Sequence, residues 1–353
     1  MASGPTGRPA TIYDVAALAK LSIATVSRVL QGTGPVSAKA RARVDQAAQE
    51  LNYVPLRAAR SLAVQRHEAH GLVLPDLAGP FYGDLLMGYE RWAGEHGQSV
   101  IITVTHGNPD PRRSVMDLAG RVDGIVVHGN ALELATIQAL QKAGVPLVLI
   151  AHPPIRSCDS VRTESAASAE ALTTRLLDHG RTNLLFVGDP SSGYDVTERY
   201  AGFAKALEAR GLQVPKPIQV PLTEESGRAV AEQLLQASGS RPDGLVCAND
   251  ELALAAMSVL AANGVGVPDE VVVTGWDDVM AARYVSPGLT TVRQPMAELG
   301  RLAAQRLHER VTGERSRARN DVLATQVVLR DSCGTNRGLT GAEGRGRMRQ
   351  VNE

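Results

Sequence analysis

Cysteine is scarce in this sequence. The 353 residues include three cysteines, which are widely separated at Cys158, Cys247 and Cys333. An odd number of distant cysteines excludes a disulfide framework and lacks the close spacing of a zinc site. We therefore expect buried thiols in a reducing compartment, and we predict no metal site and no cofactor.

Long apolar segments are missing as well. No run approaches the roughly 18 apolar residues of a membrane span, and the opening MASGPTGRPA lacks the apolar region of a secretory signal. We therefore expect a cytoplasmic protein without a membrane partner. Residues 336–353 are rich in glycine and arginine, a composition that predicts a disordered tail.

Motifs that carry catalysis are also absent. HEAH at 67–70 is one residue short of a zinc-protease HExxH, and GVGVPD at 264–269 lacks the third glycine of a dinucleotide fingerprint. There is no P-loop, and PSSGYD is not a nucleophile elbow. A Rossmann-like enzyme would need such a constellation, so we expect a protein that is not an enzyme.

Charge is distributed unevenly, although the whole chain has a formal net charge of zero. Residues 1–66 contain nine Lys or Arg and three acids, for +6, and the remaining 28 basic and 34 acidic residues total −6. A basic head on an acidic body is expected when one small domain meets a polyanion. A single charged run would more often be a solvated helix face.

Three short helices are predicted in the basic head. The first begins after the candidate cap Thr11, the second after Ser22 and the third after Ser37. Apolar residues at helical spacing give each helix one inward face: Ile12, Val15, Ala16 and Ala19; Val26, Val29 and Leu30; Val44, Ala47, Ala48 and Leu51. The tight turn between the first two helices indicates a helix-turn-helix unit.

The second helix of such a unit lies in the DNA major groove. With Val26 and Val29 inward, the outward side chains are Ile23, Ala24, Ser27 and Arg28. Arg28 suits guanine, since a guanidinium can bond O6 and N7 together. The alternative is a surface arginine on an ordinary three-helix bundle.

The head resembles the DNA-binding domain of LacI/GalR-family transcription regulators. The resemblance lies in YDVAALAKLSIATVSRVL, VSAKARARVDQAAQELNYVP and RAARSLA, and is nearly continuous from Thr11 to Ala63. It implies a DNA-binding domain at 1–55 and a role in base reading for the four outward residues. It also implies that the phosphate backbone is held by Ser22, Thr25, Ser37 and Tyr53.

The segment at 56–66 resembles the family's hinge helix, which folds when two copies meet over the minor groove. Leu62 then corresponds to a wedge between the central base pairs, and Arg57 and Arg60 attract phosphate. Physical reasoning agrees, because so short a helix after Pro55 is marginal alone. Alternatively, Leu62 is a linker residue that covers the next domain. Leu56 departs from the asparagine of many relatives.

Residues 67–335 alternate apolar strands with amphipathic helices. Near-continuous apolar runs of this kind are typical of parallel strands covered on both faces, so the pattern predicts a doubly wound α/β architecture in two lobes. The predicted strands are at 71–75, 99–104, 123–128, 146–151, 183–188, 243–248 and 271–275.

This body resembles the periplasmic-binding-protein-like effector core of the same family, through LPDLAGPFYGDLLMGYE, RYAGFAKAL, ANDELALAAM and VVVTGWDDVMAARYVSPGLTTVRQP. The resemblance implies three crossovers between the lobes and a small molecule bound between them. The expected effector-binding residues are Phe81, Tyr82, Arg199, Leu222, Asn249, Trp276 and Asp277. Two of them keep an alternative: Asn249 could cap a helix, and Trp276 could be core packing.

Together these features predict a repressor that binds a palindromic double-stranded operator as a homodimer, with a tetramer left open. The expected effector is a sugar, although Leu222 stands where many sugar-responsive relatives have tryptophan, and AHPP at 151–154 and TESAAS at 163–168 depart from common signatures. The alternative is a solute-binding protein of the periplasmic type without DNA function.

Overall fold

The computed structural model describes residues 8–32, 34–54, 66–239 and 241–334. The chain divides into two compact units between His67 and Glu68, which we call the head and the core. The predicted tail at 336–353 and all of the predicted hinge except Arg66 lie outside the described residues.

The head contains the three predicted helices: α1 (Ile12–Ala19), α2 (Ile23–Gln31) and α3 (Ala38–Glu50). Their interior is made of small side chains, namely Val15, Ala16, Ala19, Val26, Val29, Val44 and Ala47. Ser22 and Ser37 cap α2 and α3, and Gly32 ends α2 in the left-handed region at φ 67°. The helical periodicity therefore predicted this unit correctly.

The first lobe of the core is built on a six-stranded parallel sheet with the order β10-β5-β4-β3-β1-β2. The strands are β1 (Ala69–Leu74), β2 (Ser99–Val104), β3 (Gly124–His128), β4 (Leu147–Ile150), β5 (Asp159–Thr163) and β10 (Asn320–Leu323). The helices are α4 (Phe81–Glu95), α5 (Pro111–Ala119), α6 (Leu134–Lys142) and α12 (Met296–Thr312).

The second lobe has a three-stranded parallel sheet of β6 (Leu184–Val187), β7 (Gly244–Cys247) and β8 (Val272–Thr274). An antiparallel pair joins β9 (Thr291–Arg293) to β11 (Gln326–Val328). The helices are α7 (Ala166–Asp178), α8 (Tyr194–Glu208), α9 (Glu224–Gln236), α10 (Asp250–Ala262) and α11 (Ala281–Tyr284), and short 3-10 turns span Pro190–Ser192 and Asp331–Cys333.

The chain passes between the lobes three times: from β5 to α7, from β9 to α12 and from β10 to β11. The two-lobed α/β prediction is confirmed, and all seven predicted strands are present. Four strands were missed, namely β5, β9, β10 and β11. Each has three to five residues with polar positions among them, so it lacks the apolar run that marked the others.

Helices α4 and α12 of the first lobe pack at very short range. A Cβ added at Gly88 of α4 would lie 1.9 Å from the carbonyl oxygen of Ala297, and one added at Gly300 of α12 would lie 2.1 Å from that of Leu85. Glycine is therefore required at both positions by the approach of the neighbouring backbone.

All three cysteines are free and buried. Burial raises the pKa of the Cys158 thiol. Within the described ranges, no helix is both long enough and apolar enough to cross a membrane.

Candidate functional site

The outward face of α2 carries the side chains that were predicted to read bases. Ile23 is 44% exposed, Ala24 and Arg28 are exposed, and Ser27 is half-buried, while Val26 beneath them is fully buried. An exposed isoleucine in the first turn of this helix can make apolar contacts with base edges, such as a thymine methyl group.

Two of the predicted phosphate contacts also stabilise helix ends. The Ser22 Oγ accepts the Thr25 backbone N–H at 3.2 Å and lies 2.9 Å from the Thr25 Oγ1. The Ser37 Oγ accepts the Ala40 N–H at 3.2 Å. Tyr53 packs against the helical interior, and this burial raises the pKa of its hydroxyl. Loss of either serine would therefore weaken helix structure as well as any DNA contact.

Two further predicted DNA contacts, Arg57 and Leu62, lie outside the described residues. Their roles stay predictions.

A cleft of about 250 Å³ opens between the two lobes of the core. It lies beyond the carboxyl ends of strands, where open α/β sheets bind ligands. Six of the seven predicted effector residues line it: Phe81, Tyr82, Arg199, Leu222, Asn249 and Asp277.

Arg199 on α8 is held rigidly in the cleft wall. Its side chain is 4% exposed, its Nη2 donates to the Asp195 Oδ2 at 2.8 Å and its Nη1 donates to the Ala248 carbonyl at 2.6 Å. The guanidinium lies 4.7 Å from the centre of the Trp276 ring. Asp195, one helical turn earlier, therefore neutralises the charge of Arg199.

Asp277 follows β8 in a left-handed conformation, with φ 116°. Its Oδ1 accepts the Gln294 Nε2 at 2.6 Å. Burial raises the pKa of Asp277 to about 7, against the lowering effect of the nearby Arg199 charge, and the Asp195 and Glu251 carboxylates raise it further. Near neutral pH this carboxyl group can therefore accept or donate a hydrogen bond.

An aromatic wall on the first lobe faces the cleft. The Phe81 and Tyr82 ring centres are 4.4 Å apart, and each lies less than 6 Å from the His128 ring. Burial lowers the pKa of His128 to about 4, so the imidazole is neutral at physiological pH. On the other lobe, Leu222 occupies the facing side of the cleft without an aromatic ring.

Asn249 caps a helix, which was the alternative considered for it, and it also lines the cleft. Its Oδ1 accepts the Leu252 N–H at 3.0 Å and so caps α10, and its Nδ2 donates to the Leu222 carbonyl at 3.1 Å. Trp276 has the alternative placement considered for it, core packing, because the residue is 2% exposed and does not line the cleft. It packs with Ala169, Leu172 and Val292 and supports Arg199 from behind.

Both parts of the chain match known protein families. Residues 11–55 match the model of bacterial regulatory proteins of the lacI family, and residues 173–333 match the periplasmic binding protein-like domain. The transcriptional regulator CelR of Thermobifida fusca is 32% identical over 336 residues, which cover 92% of this chain and 98% of that protein. The chain belongs to the lacI family.

Other members of the lacI family agree with this assignment. GalR of Escherichia coli is 33% identical over 300 residues, covering 84% of this chain and 88% of that protein. A solved CelR–cellobiose complex has 31% identity and a TM-score of 0.70, and the lac repressor dimer bound to operator and the anti-inducer ONPF has 28% identity and a TM-score of 0.81. Both comparisons cover 92% of this chain and 99% of the solved one.

As a lacI-family member, the protein is a DNA-binding transcriptional regulator controlled by a small-molecule effector. Several cleft residues were nevertheless missed by sequence reasoning, namely Asp76, His128, Asp195, Glu251 and Gln294. His128 is the last residue of β3, and Asp76 lies two residues beyond the end of β1. Their position at strand ends could have identified them as candidate ligand-binding residues. Gln294 follows β9, a strand too short and too polar for its pattern to be detected.

Proposed function

We propose that this regulator is a repressor that binds a palindromic operator as a symmetric homodimer. A sugar, or a similarly hydroxylated small molecule, binds in the cleft between the lobes and changes operator affinity. The coupling is reciprocal, so operator also changes the affinity for the effector.

The observation that carries this proposal is the cleft itself. The polar residues Asp277, Arg199 and Asn249 line the cleft together with the aromatic wall of Phe81 and Tyr82. Hydroxyl groups both donate and accept hydrogen bonds, so they suit a cleft with carboxylate, amide and imidazole groups. Cellobiose in the solved CelR complex is a ligand of this chemical class.

The alternative of a solute-binding protein without DNA function is disfavoured by the head. A protein that only captures a solute does not need the exposed side chains of Ile23, Ala24 and Arg28 on the head. The head also belongs to a family of DNA-binding regulators.

The experiment has two stages. Duplexes selected from a random pool by the purified full chain define the operator, and gel shifts on that duplex then test a panel of sugars for an effect on affinity. We expect a palindromic site, a steep loss of affinity with salt and at least one sugar that shifts binding. Selection of no consensus sequence would reject the proposal.

The hinge gives a second test of the same function. Leu62→Ala removes the apolar wedge, so specific affinity should fall while nonspecific binding, which depends on basic residues, is retained. Unchanged specific affinity in a gel shift would reject the wedge role of Leu62 and leave the rest of the proposal in place.

A further inference from the structure

A small inner pocket extends from the cleft toward the segment that joins the lobes. It has a volume of about 20 Å³, and it shares Phe81, His128, Asp195 and Gln294 with the cleft. Arg162, at the end of β5, and Ser165, just before α7, line this inner pocket but not the cleft. An effector in the cleft can therefore place one small group against them.

Three polar atoms of the inner pocket are buried without a hydrogen-bond partner among the described residues: the Arg162 Nε, the Ser165 Oγ and the His128 Nδ1. Ser165 is 2% exposed and His128 is 8% exposed. Buried polar groups almost always have partners in folded proteins, and each exception requires an explanation. Three exceptions line one pocket, so a small polar group bound there would find hydrogen-bonding atoms that the protein itself leaves unpartnered.

The local structure explains why Ser165 is free to bind a ligand. It occupies the capping position of α7, yet its hydroxyl makes no capping bond. The Glu164 carboxylate takes that role and accepts the Ala167 N–H at 2.6 Å and the Ser168 N–H at 3.1 Å. The Ser165 hydroxyl is thus not needed to stabilise the helix.

Arg162 also lacks an ion-pair partner within 4 Å among the described residues. Its guanidinium lies 5.7 Å from the centre of the Tyr194 ring. Two carboxylates line the pocket: Asp195 is paired with Arg199 at 2.8 Å, and Glu198 is half-buried. Gln294 is satisfied by Thr163 and Asp277. Arg162 is therefore a cation of this pocket that no carboxylate pairs within 4 Å, and Glu198 is the carboxylate that an anionic ligand would meet beside it.

We propose that the inner pocket binds a carboxylate of the effector, which would make the effector a sugar acid. This inference rests on the proposed function and names the class of ligand for the same cleft. A planar carboxylate matches the guanidinium fork of Arg162, and its second oxygen can accept from Ser165. A pocket of this volume has room for one such group, not for a second sugar ring.

The test compares matched ligands on the full chain by calorimetry. The probes are hexuronates and aldonates, each with its neutral hexose and, for the hexuronates, the methyl ester. We expect a hexuronate or aldonate to bind at least about tenfold more tightly than its neutral counterpart, because charged hydrogen bonds are the stronger ones. Sugar phosphates, run in parallel, separate a carboxylate from an anion of another shape.

Two variants test whether the inner pocket is responsible for the preference for an acid over its neutral counterpart. Arg162→Met should abolish the preference for the acid, and Ser165→Ala should reduce it several-fold, whereas Arg113→Met, at an arginine with an 80% exposed side chain, should leave it unchanged. A neutral hexose that binds as tightly as its acid, a phosphate preferred over every carboxylate, or binding of no acid overturns the inference. Operator binding measured on the same samples tests the proposed function independently of the inference about the ligand.

Discussion

The head and the core present the side chains predicted to bind their ligands in opposite ways. In the head, Ile23, Ala24 and Arg28 are exposed on one helix, above an interior of valine and alanine. In the core, Arg199 is buried and Asp277 half-buried in the wall of a cleft assembled from both lobes. The comparison shows that the side chains predicted to read bases follow from the geometry of a single helix, whereas the residues of the cleft are brought together only by the folding of both lobes.

The electrostatic consequences differ in the same way. The head's polar site residues remain in water, so their charge acts through attraction to phosphate. The core's acidic residues lose water on folding, and burial raises the pKa of Asp277 to about 7 and that of Asp250 to about 8. The stability of the core should therefore depend on the protonation of these two residues near neutral pH.

The largest expected effect is a loss of stability in the core but not in the head. Gly88→Ala places a methyl group where the Ala297 carbonyl lies, so the core should lose about 3 kcal/mol of unfolding free energy. Calorimetry should show a lower melting temperature for the core and an unchanged transition for the head.

Gly83→Ala is the matched control on the same helix. A Cβ at Gly83 has no atom within 4 Å, and alanine favours helix, so the core should gain up to about 1 kcal/mol. Equal behaviour of the two variants would contradict the close approach of α4 and α12.

A smaller effect is expected from the buried ion pair in the cleft. Lysine at position 199 cannot bond both Asp195 and the Ala248 carbonyl in the geometry of arginine. Arg199→Lys should therefore cost about 2 kcal/mol of core stability and weaken effector binding. The control is Arg228→Lys, whose exposed pair with Glu224 should change stability by less than about 0.5 kcal/mol. Similar losses in denaturant melts of both variants would show that burial does not set the strength of the Arg199 pair.

The same comparison explains how much was predictable from sequence. The head's helices, caps and outward residues follow from spacing along a short segment, so the pattern predicted all three helices and placed Ile23 and Arg28 outside. The core's strands followed from apolar runs. Its site residues come from separate strand and helix ends, and the resemblance supplied six of them. Asp195 and the inner pocket were missed because no local pattern marks a partner that is brought close by folding.

Arg28 tests whether the exposed surface of the head acts without contributing to the fold. Arg28→Ala should lose about 1 to 3 kcal/mol of specific operator binding and relax the base preference at one position, with no change in the melting of the head because the side chain is exposed. Competition among operator variants in gel shifts provides the measurement. Arg113→Ala, at an exposed arginine of the core, is the control and should bind the operator normally. A uniform loss across all sequences would indicate a phosphate contact instead.

The smallest effect is a difference in pH response between the units. In the head, hydrogen bonds from Thr11 lower the pKa of Asp14 below 3.8, so that stabilisation is present above this pH and is lost as pH falls through the lowered value. In the core, Asp250 and Asp277 titrate near 8 and 7 when folded but near 3.8 when unfolded. The folded core therefore binds more protons, and its stability should fall as pH rises to about 8.

Two buried histidines limit the window in which this difference is visible. Burial lowers the pKa of His70 and of His128 from 6.5 to about 4, so below pH 6.5 they make the core less stable as pH falls and oppose the two aspartates. Between pH 6.5 and 8 the opposing effect of the histidines fades, so the melting temperature of the core should decline while that of the head stays level. Asp277→Asn should flatten this decline, whereas Asp117→Asn, at a 70% exposed carboxylate, should leave it intact. A decline of equal slope in both variants would show that the buried carboxyl group of Asp277 does not couple folding of the core to protonation.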